Sequence, residues 1–290
     1  MKESATMEAA GILWQARLER RRLAALPAHC RPGSLAEGYA VQDAMTALAR
    51  QTVFGWKIAA TSAAGQRHIG VIEPLAGRLF ADFVLNDGAV LDAGPMLMRA
   101  AEAEFAFRLG RDLPSRADPY SVDEVMKAVA GLHLAIEVPD ARFEQFAEVG
   151  PAQIAADDAF AAWFVLGPEV ADWPGIDLPC QPVRMMRNGV AAGEGRGADA
   201  LGDPRIALTW LANERSKRGG GLKAGEIVTT GTCVTPVAVA SGDRLIAELP
   251  ILPLGFERRT YVVLDRLAGF QPNPLGRDYW NAWELRRLSP

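Results

Sequence analysis

Apolar side chains recur at helical spacing over residues 9–26, and Pro27 stops the pattern. A second helix is expected over 34–51, where Ser34 can cap the first turn and Glu37, three residues on, can close a capping box. From Phe54 the texture changes to short strands broken by Gly, Pro and Asp, with only two strong helix signals among them. One opens at Ser121-Val122-Asp123-Glu124 and runs to about 130. The other opens at Asp203-Pro204, where Asp caps and Pro suits the first helical position, and ends before Gly219-Gly220-Gly221. Asn188-Gly189 reads as a tight hairpin turn. Strands without regular alternation with helices argue against a doubly wound parallel sheet. The expected fold is α+β, a rolled, mostly antiparallel sheet. Its organisation is a helical subdomain over 1–53, a β-rich catalytic domain over 54–268 and an irregular tail over 269–290. The tail's Tyr279, Trp280 and Trp283 need an apolar surface to dock on.

Two of the strand patterns carry acids. In Ala101-Glu102-Ala103-Glu104-Phe105-Ala106-Phe107 the period of two sends Glu102 and Glu104 to one face and Ala103, Phe105 and Phe107 to the other. In 132–138, Leu132, Leu134, Ile136 and Val138 share one side, and His133, Ala135 and Glu137 share the other. One such strand by itself reads as a solvated face. Two matching strands favour a divalent cation, because a buried carboxylate must be paired, protonated or metal-bound.

Composition narrows the classes. A chain of 290 residues with 49% hydrophobic residues can bury a substantial core. A net charge of -4 gives no electrostatic reason to expect nucleic acid or an anionic membrane as partner. The Arg-rich stretch 17–22 reads as a solvated helix face. Cys30, Cys180 and Cys233 are widely spaced with no CxxC, which argues against a disulfide framework or a zinc site and suits a reducing compartment. Without a signal-peptide pattern or an apolar run of membrane length, a soluble cytoplasmic protein is expected.

An ordered set of motifs resembles a known family. Gly55-Trp56-Lys57-Ile58, Thr61-Ser62, Pro74-Leu75-Ala76-Gly77-Arg78-Leu79, the two acidic strands, Pro139-Asp140-Ala141-Arg142 and Thr230-Gly231-Thr232 occur in the order seen in 2-keto-4-pentenoate hydratases. These enzymes and the 4-oxalocrotonate decarboxylases are similar branches of the fumarylacetoacetate hydrolase superfamily. Gly38-Tyr39-Ala40-Val41-Gln42, Gly202-Asp203-Pro204 and Trp210-Leu211-Ala212-Asn213 extend the resemblance over nearly the whole chain.

The resemblance implies Mg2+ or Mn2+ held by Glu102, Glu104 and Glu137, with open positions for a 2-oxo acid and water. It implies that Lys57 is the active-site lysine, where the sequence alone suggests the surface end of a strand. Asp157, the second residue the resemblance marks as catalytic, matches an aspartate usually followed by asparagine, so Asp158 is a departure; Pro139 and Ala141 depart as well. Thr61, Ser62, Thr230, Gly231 and Thr232 are the expected substrate-binding positions, although a plain turn between strands would also account for the glycine. Asp140 and Arg142 are expected to pair. His68, with Glu73 nearby, suits either water activation in a lid or a structural role; His133 suits either a place behind the metal or a hydrogen-bonded core position. Gly193-Glu194-Gly195-Arg196-Gly197 has the wrong spacing for a dinucleotide motif and reads as a flexible loop.

The leading expectation is a hydro-lyase that adds water to a 2-hydroxypenta-2,4-dienoate-type substrate, with Lys57 and a metal-bound water moving protons. A 2-oxo-dioate decarboxylase comes second and would need a basic partner for the second carboxylate, with Arg67, Arg142 and Arg187 as candidates. An acylpyruvate hydrolase and a noncatalytic partner subunit follow. A homo-oligomer, and a hydratase–decarboxylase complex, are the assemblies the resemblance suggests.

Overall fold

The structure, a computed structural model, describes residues 1–250 and the strands 258–264, 267–268 and 286–287. In chain order the elements are α1 (Glu3–Glu19), α2 (Leu35–Ala49), β1 (Val53–Ala59), α3 (Ala63–Ile69), β2 (Leu75–Phe80), β3 (Val84–Asn86), β4 (Ala89–Val90), β5 (Ala100–Leu109), α4 (Val122–Met126), β6 (Val129–Val138) and α5 (Pro151–Ala156). There follow β7 (Trp163–Glu169), β8 (Pro182–Arg187), β9 (Val190–Arg196), α6 (Pro204–Lys217), β10 (Ile227–Thr232), β11 (Val237–Ala238), β12 (Asp243–Leu249), β13 (Arg258–Leu264), β14 (Leu267–Ala268) and β15 (Arg286–Arg287).

One sheet runs β2-β1-β10-β5-β6-β7-β3, with β11 extending the β10 side of β5. It is mixed: β1 with β10 and β3 with β7 are parallel, and the other pairs are antiparallel. A second sheet, β4-β13-β12-β8-β9, shares one apolar core with the first, in which Phe105, Phe107, Leu134 and Ile136 meet Val183, Met185, Leu245 and Val262. Helices α1 and α2 pack beside this body around Leu13, Leu26, Val41, Met45 and Phe143. Gln42 of α2 ties them to it by donating to the carbonyls of Ala76 and Ala155. Among the described residues no helix is long and apolar enough to cross a membrane.

The caps explain where the helices stand. Ser34, Ser121 and Asp203 each accept a first-turn backbone N–H, and at Ser121 the capping box is reciprocal through Glu124. At Ser34 it is not, because the Glu37 carboxylate is taken by Gly33 N and the terminal amine. Asn188 and Gly189 both have positive φ, 54° and 81°, as a two-residue hairpin requires.

Several expectations are corrected. Helix α1 occupies Glu3–Glu19 rather than 9–26: Arg20 turns left-handed at φ 52°, and Leu23 pairs instead with the extended backbone at Arg142 and Glu144. Helix α4 stops at Met126, because the chain must enter β6 at Val129. Helices α3 and α5 escaped notice for being short, although Ser62 and Gly70 bracket the first and Pro151 opens the second. The Arg-rich stretch is not uniformly solvated: Arg17 is buried, donating to Asp158 and to the Ala161 carbonyl, and Arg22 binds Asp140. Residues 193–196 belong to β9 rather than a loop, and a side chain on Gly195 would collide with the Cys233 carbonyl. The tail's Tyr279, Trp280 and Trp283 lie outside the described residues.

Candidate metal centre and active-site cavity

Cross-strand register assembles one face of the first sheet. Glu102 lies opposite Glu137 and Glu104 opposite Ala135 on the β5–β6 pair, while Lys57 faces Thr229 on the β1–β10 pair. Period two puts all of these on the same side. A register shift between Thr229 and Thr232, where Gly231 has φ 92°, bends β10 over the acids. The face is not open to water: Ala106, Ala135, Phe164, Leu79 and Ile227 form an apolar cluster farther along it.

Oxygens of Glu102, Glu104 and Glu137 lie within 4.8 Å of one another. Glu104 is wholly buried, and its Oε2 accepts the Thr229 hydroxyl and, at 2.9 Å, the Gly231 N–H. Its Oε1, and both oxygens of Glu137, are buried with no hydrogen bond. The Lys57 ammonium is 2.9 Å from Glu137 Oε1 as an ion pair and donates its aligned hydrogen bond to the Ala159 carbonyl at 3.0 Å. Burial first, then the Glu137 charge, pushes Glu102 up to about 7 and Glu104 well above the usual carboxylate range. Burial alone would lower Lys57, but Glu137, Glu102 and Glu104 together carry it above its ordinary value. Three convergent carboxylates, two of them with buried oxygens that lack a hydrogen bond, and one compensating ammonium fit a hard divalent cation, for which oxygen is the preferred donor.

The backbone over Lys57 is unusual. Asp158, Ala159 and Phe160 all have positive φ, at 57°, 50° and 63°. For residues other than glycine this costs about 1–2 kcal/mol each. The turn is anchored from below: Asp158 accepts from Arg78 N at 2.7 Å and from Arg17 at 3.1 Å, and the Asp157 carboxylate accepts from the backbone and side chain of Arg142. Gly77, paired with Lys57 across β1 and β2, leaves the room the turn needs; a side chain there would strike the Asp158 carbonyl. The turn thereby points the Ala159 carbonyl at the lysine.

A cavity of about 590 Å³ opens above this floor. Lys57, Thr61, Ser62, Glu102, Gly231 and Thr232 all line it. Glu104 and Glu137 sit just behind as buried neighbours. Thr230 does not reach it; its hydroxyl donates to the Phe105 carbonyl. Asp157 does not reach it either, being buried against Arg142. Asp140 and Arg142 do meet, but through the backbone: Arg142 Nη1 donates to the Asp140 carbonyl at 2.7 Å, while their charged groups pair elsewhere, Asp140 with Arg22 at the end of α1 and Arg142 with Asp157 beneath the strained turn. Ser62 also caps α3, its side chain accepting from Gly65 N, and the Thr232 hydroxyl donates to the Val234 carbonyl.

His68, on α3, lines the cavity with its ring edge-on to Phe146, 6.2 Å between centroids; Glu73 is not on the wall. His133 lies away from the acids, bonded to the Gly167 carbonyl at 2.9 Å, which makes it the hydrogen-bonded core histidine of the two alternatives. Sequence reasoning passed over Thr229, Ala159, Phe160, Glu194 and Asp199. Of these only Thr229 carried a readable signal, since period two sets it on the face opposite Val228.

Comparison with known proteins agrees with the geometry. Residues 83–258 match the model for the fumarylacetoacetate (FAA) hydrolase C-terminal family. The chain is 36% identical over 243 residues to 2-keto-4-pentenoate hydratase 1 of Dechloromonas aromatica, covering 82% of this chain and 91% of that protein. It is 32% identical over 255 residues to the 2-keto-4-pentenoate hydratase of Burkholderia vietnamiensis, covering 87% and 95%. Among solved structures it resembles 4-oxalocrotonate decarboxylase from Pseudomonas putida G7, complexed with magnesium and adipate, with TM-score 0.81, 25% identity and coverage of 91% and 98%.

Proposed function

The chain belongs to the fumarylacetoacetate hydrolase family, and from that membership we propose that it is a divalent-metal-dependent hydratase acting on a 2-hydroxypenta-2,4-dienoate-type acid to give a 4-hydroxy-2-oxo acid. The observation that carries the reading is the convergence of Glu102, Glu104 and Glu137 beside Lys57 at the floor of a half-open, mainly apolar cavity. Those three glutamates would hold Mg2+ or Mn2+. Such an ion supplies Lewis acidity toward a 2-oxo carboxylate.

The chain's own residues do the rest. Lys57 holds a proton at Nζ, kept there by Glu137 and aimed by the Ala159 carbonyl, in position to exchange it with a substrate carbon above the floor. The Thr229 hydroxyl and Gly231 N–H fix the rotamer of Glu104, so the carboxylate does not have to reorganise when substrate arrives. Ile58, Ile69, Met98 and Phe160 surround the reacting chain with apolar surface, which limits water to what the reaction uses.

Decarboxylation of a 2-oxo-dioate is the second reading, favoured by the structural likeness to 4-oxalocrotonate decarboxylase. A panel of 2-hydroxydienoates, 2-oxo-dioates and acylpyruvates, assayed with Mg2+ by ultraviolet absorbance and CO2 release, separates the two. Loss of dienoate absorbance without CO2 is expected. CO2 release from dioates with no consumption of dienoates would replace hydration by decarboxylation.

A further inference from the structure

We propose that Arg17, on helix α1 outside both sheets, is a positioning residue for the active-site lysine: by holding Asp158 and the Ala161 carbonyl it keeps the turn over 158–160 left-handed, so that the Ala159 carbonyl fixes where the Lys57 ammonium points. This rests on the reading above that Lys57 moves the proton.

Lys57 needs such a guide. Its stem is flexible, and its ammonium carries three rotatable donors. The contact with Glu137 is a charge pair, while the aligned hydrogen bond runs to the Ala159 carbonyl at 3.0 Å. That carbonyl reaches the lysine because Asp158, Ala159 and Phe160 have φ of 57°, 50° and 63°. L side chains resist this conformation, so the surroundings must impose it.

Arg17 imposes it from 141 residues away in the chain. Its Nη2 donates to Asp158 Oδ2 at 3.1 Å and to the Ala161 carbonyl at 2.7 Å, gripping the chain on both sides of Ala159 and Phe160. The guanidinium lies 5.4 Å from the Phe80 ring and 5.3 Å from the Phe83 ring, which hold the fork in place. The other oxygen of Asp158 accepts from Arg78 N at 2.7 Å, one residue from Gly77, the partner of Lys57 across β1 and β2. Helix, turn and lysine strand thereby form one connected unit. A buried ion pair contributes little net stability compared with apolar packing, and Arg17 leaves its own Nε buried without a hydrogen bond. Docking of α1 is already provided by Leu13 and its apolar neighbours. What the charge pair adds is orientation of the turn. Phe160 keeps a separate anchor, the Asp140 N–H on its carbonyl at 3.0 Å, so loss of Arg17 frees Ala159 before it disturbs the cavity wall.

Arg17→Met keeps the stem and removes the fork. With Mg2+ and a 2-hydroxydienoate, kcat should fall by about tenfold or more while KM stays within about threefold, because misplacement of a proton-transfer group costs rate rather than ground-state binding. Magnesium affinity, read by titration calorimetry, should be unchanged. A crystal structure of metal-free R17M should show Ala159 out of the left-handed region and its carbonyl no longer bonded to Lys57 Nζ. Arg17→Lys keeps a charge opposite Asp158 and decides the question if R17M does not fold: a point charge does not reproduce the planar fork, so kcat should fall severalfold with KM and magnesium affinity kept. Wild-type kcat in either folded variant, a loss of substrate and magnesium binding parallel to the loss of rate, or an R17M structure with the turn and the Lys57 contact intact overturns the proposal. The reading of Lys57 fails separately: K57M with full kcat would remove the lysine from the proton path, whereas the turn geometry in R17M reports on Arg17 whatever the reaction.

Discussion

Lys57 and Glu137 meet at 2.9 Å although β10 and β5 separate their strands in the sheet. Three strand spacings of about 4.8 Å in a flat sheet would hold their backbones about 14 Å apart. The sheet must curl to close that distance, and the curl turns one row of side chains into a site. Replacing Lys57 with Met should lower kcat by about 10²–10⁴-fold, the usual contribution of a positioned proton donor. Magnesium binding should survive, because the three carboxylates remain. An unchanged kcat would remove Lys57 from the proton path.

Glu104 tests the metal assignment. Glu104→Gln keeps the shape and the acceptor for Thr229 and Gly231 but removes the charge. Magnesium affinity and kcat/KM should each fall more than about 100-fold, beyond the effect of losing a supporting residue. Calorimetric titration with Mg2+ reads the first, and full affinity in the variant would refute the ligand role.

Thr229→Val removes only the hydroxyl that steadies Glu104. Valine suits a buried strand position, so the fold should hold while magnesium affinity drops about 10–100-fold. Circular dichroism beside the same titration separates the outcomes, and a variant with wild-type affinity would show that Gly231 N–H orients the carboxylate alone.

The raised carboxyls set a pH dependence. A carboxyl whose folded value exceeds its unfolded one stabilises the fold fully below the unfolded value, and that contribution is lost as pH rises through the folded one. For Glu102 the window runs from the ordinary 4.5 to about 7, and Glu104, raised by the same burial and the same Glu137 charge, contributes with the same sign. Lys57 stays charged throughout this window in both states and adds no slope. In EDTA, Tm should therefore decline as pH is raised from about 5 to 8. Saturating magnesium should flatten the decline, and a chelated protein with constant Tm would contradict the raised values.

Asp157 is better tested by stability than by rate. Asp157→Asn breaks a buried pair and leaves the Arg142 guanidinium without its carboxylate, which should cost about 3–5 kcal/mol. Denaturant unfolding reads the loss. If instead kcat collapsed while stability held, Asp157 would return to the catalytic group.

Legibility followed the range of the rule that applied. Caps at Ser34, Ser121 and Asp203 and the turn at Asn188-Gly189 were readable because they satisfy backbone groups within a few residues. Lys57 and the binding residues Thr61, Ser62, Gly231 and Thr232 came from motif order, and all of them line the cavity; Thr230 and Asp157 came the same way and do not. A motif fixes neighbours in sequence and does not say which way a side chain is drawn.

By itself the sequence determined that Glu102, Glu104 and Glu137 leave their strands on one face, since a period of two is a property of the extended backbone alone. Only the tertiary structure decided that β5 and β6 are neighbours in register, that the sheet curls until Lys57 reaches Glu137, and that a strained turn brings the Ala159 carbonyl over the lysine. Those outcomes depend on partners far apart in the chain, among them Arg17 with Asp158 and Lys57 with Gly77. Local periodicity orients a side chain; packing between distant segments decides what it meets.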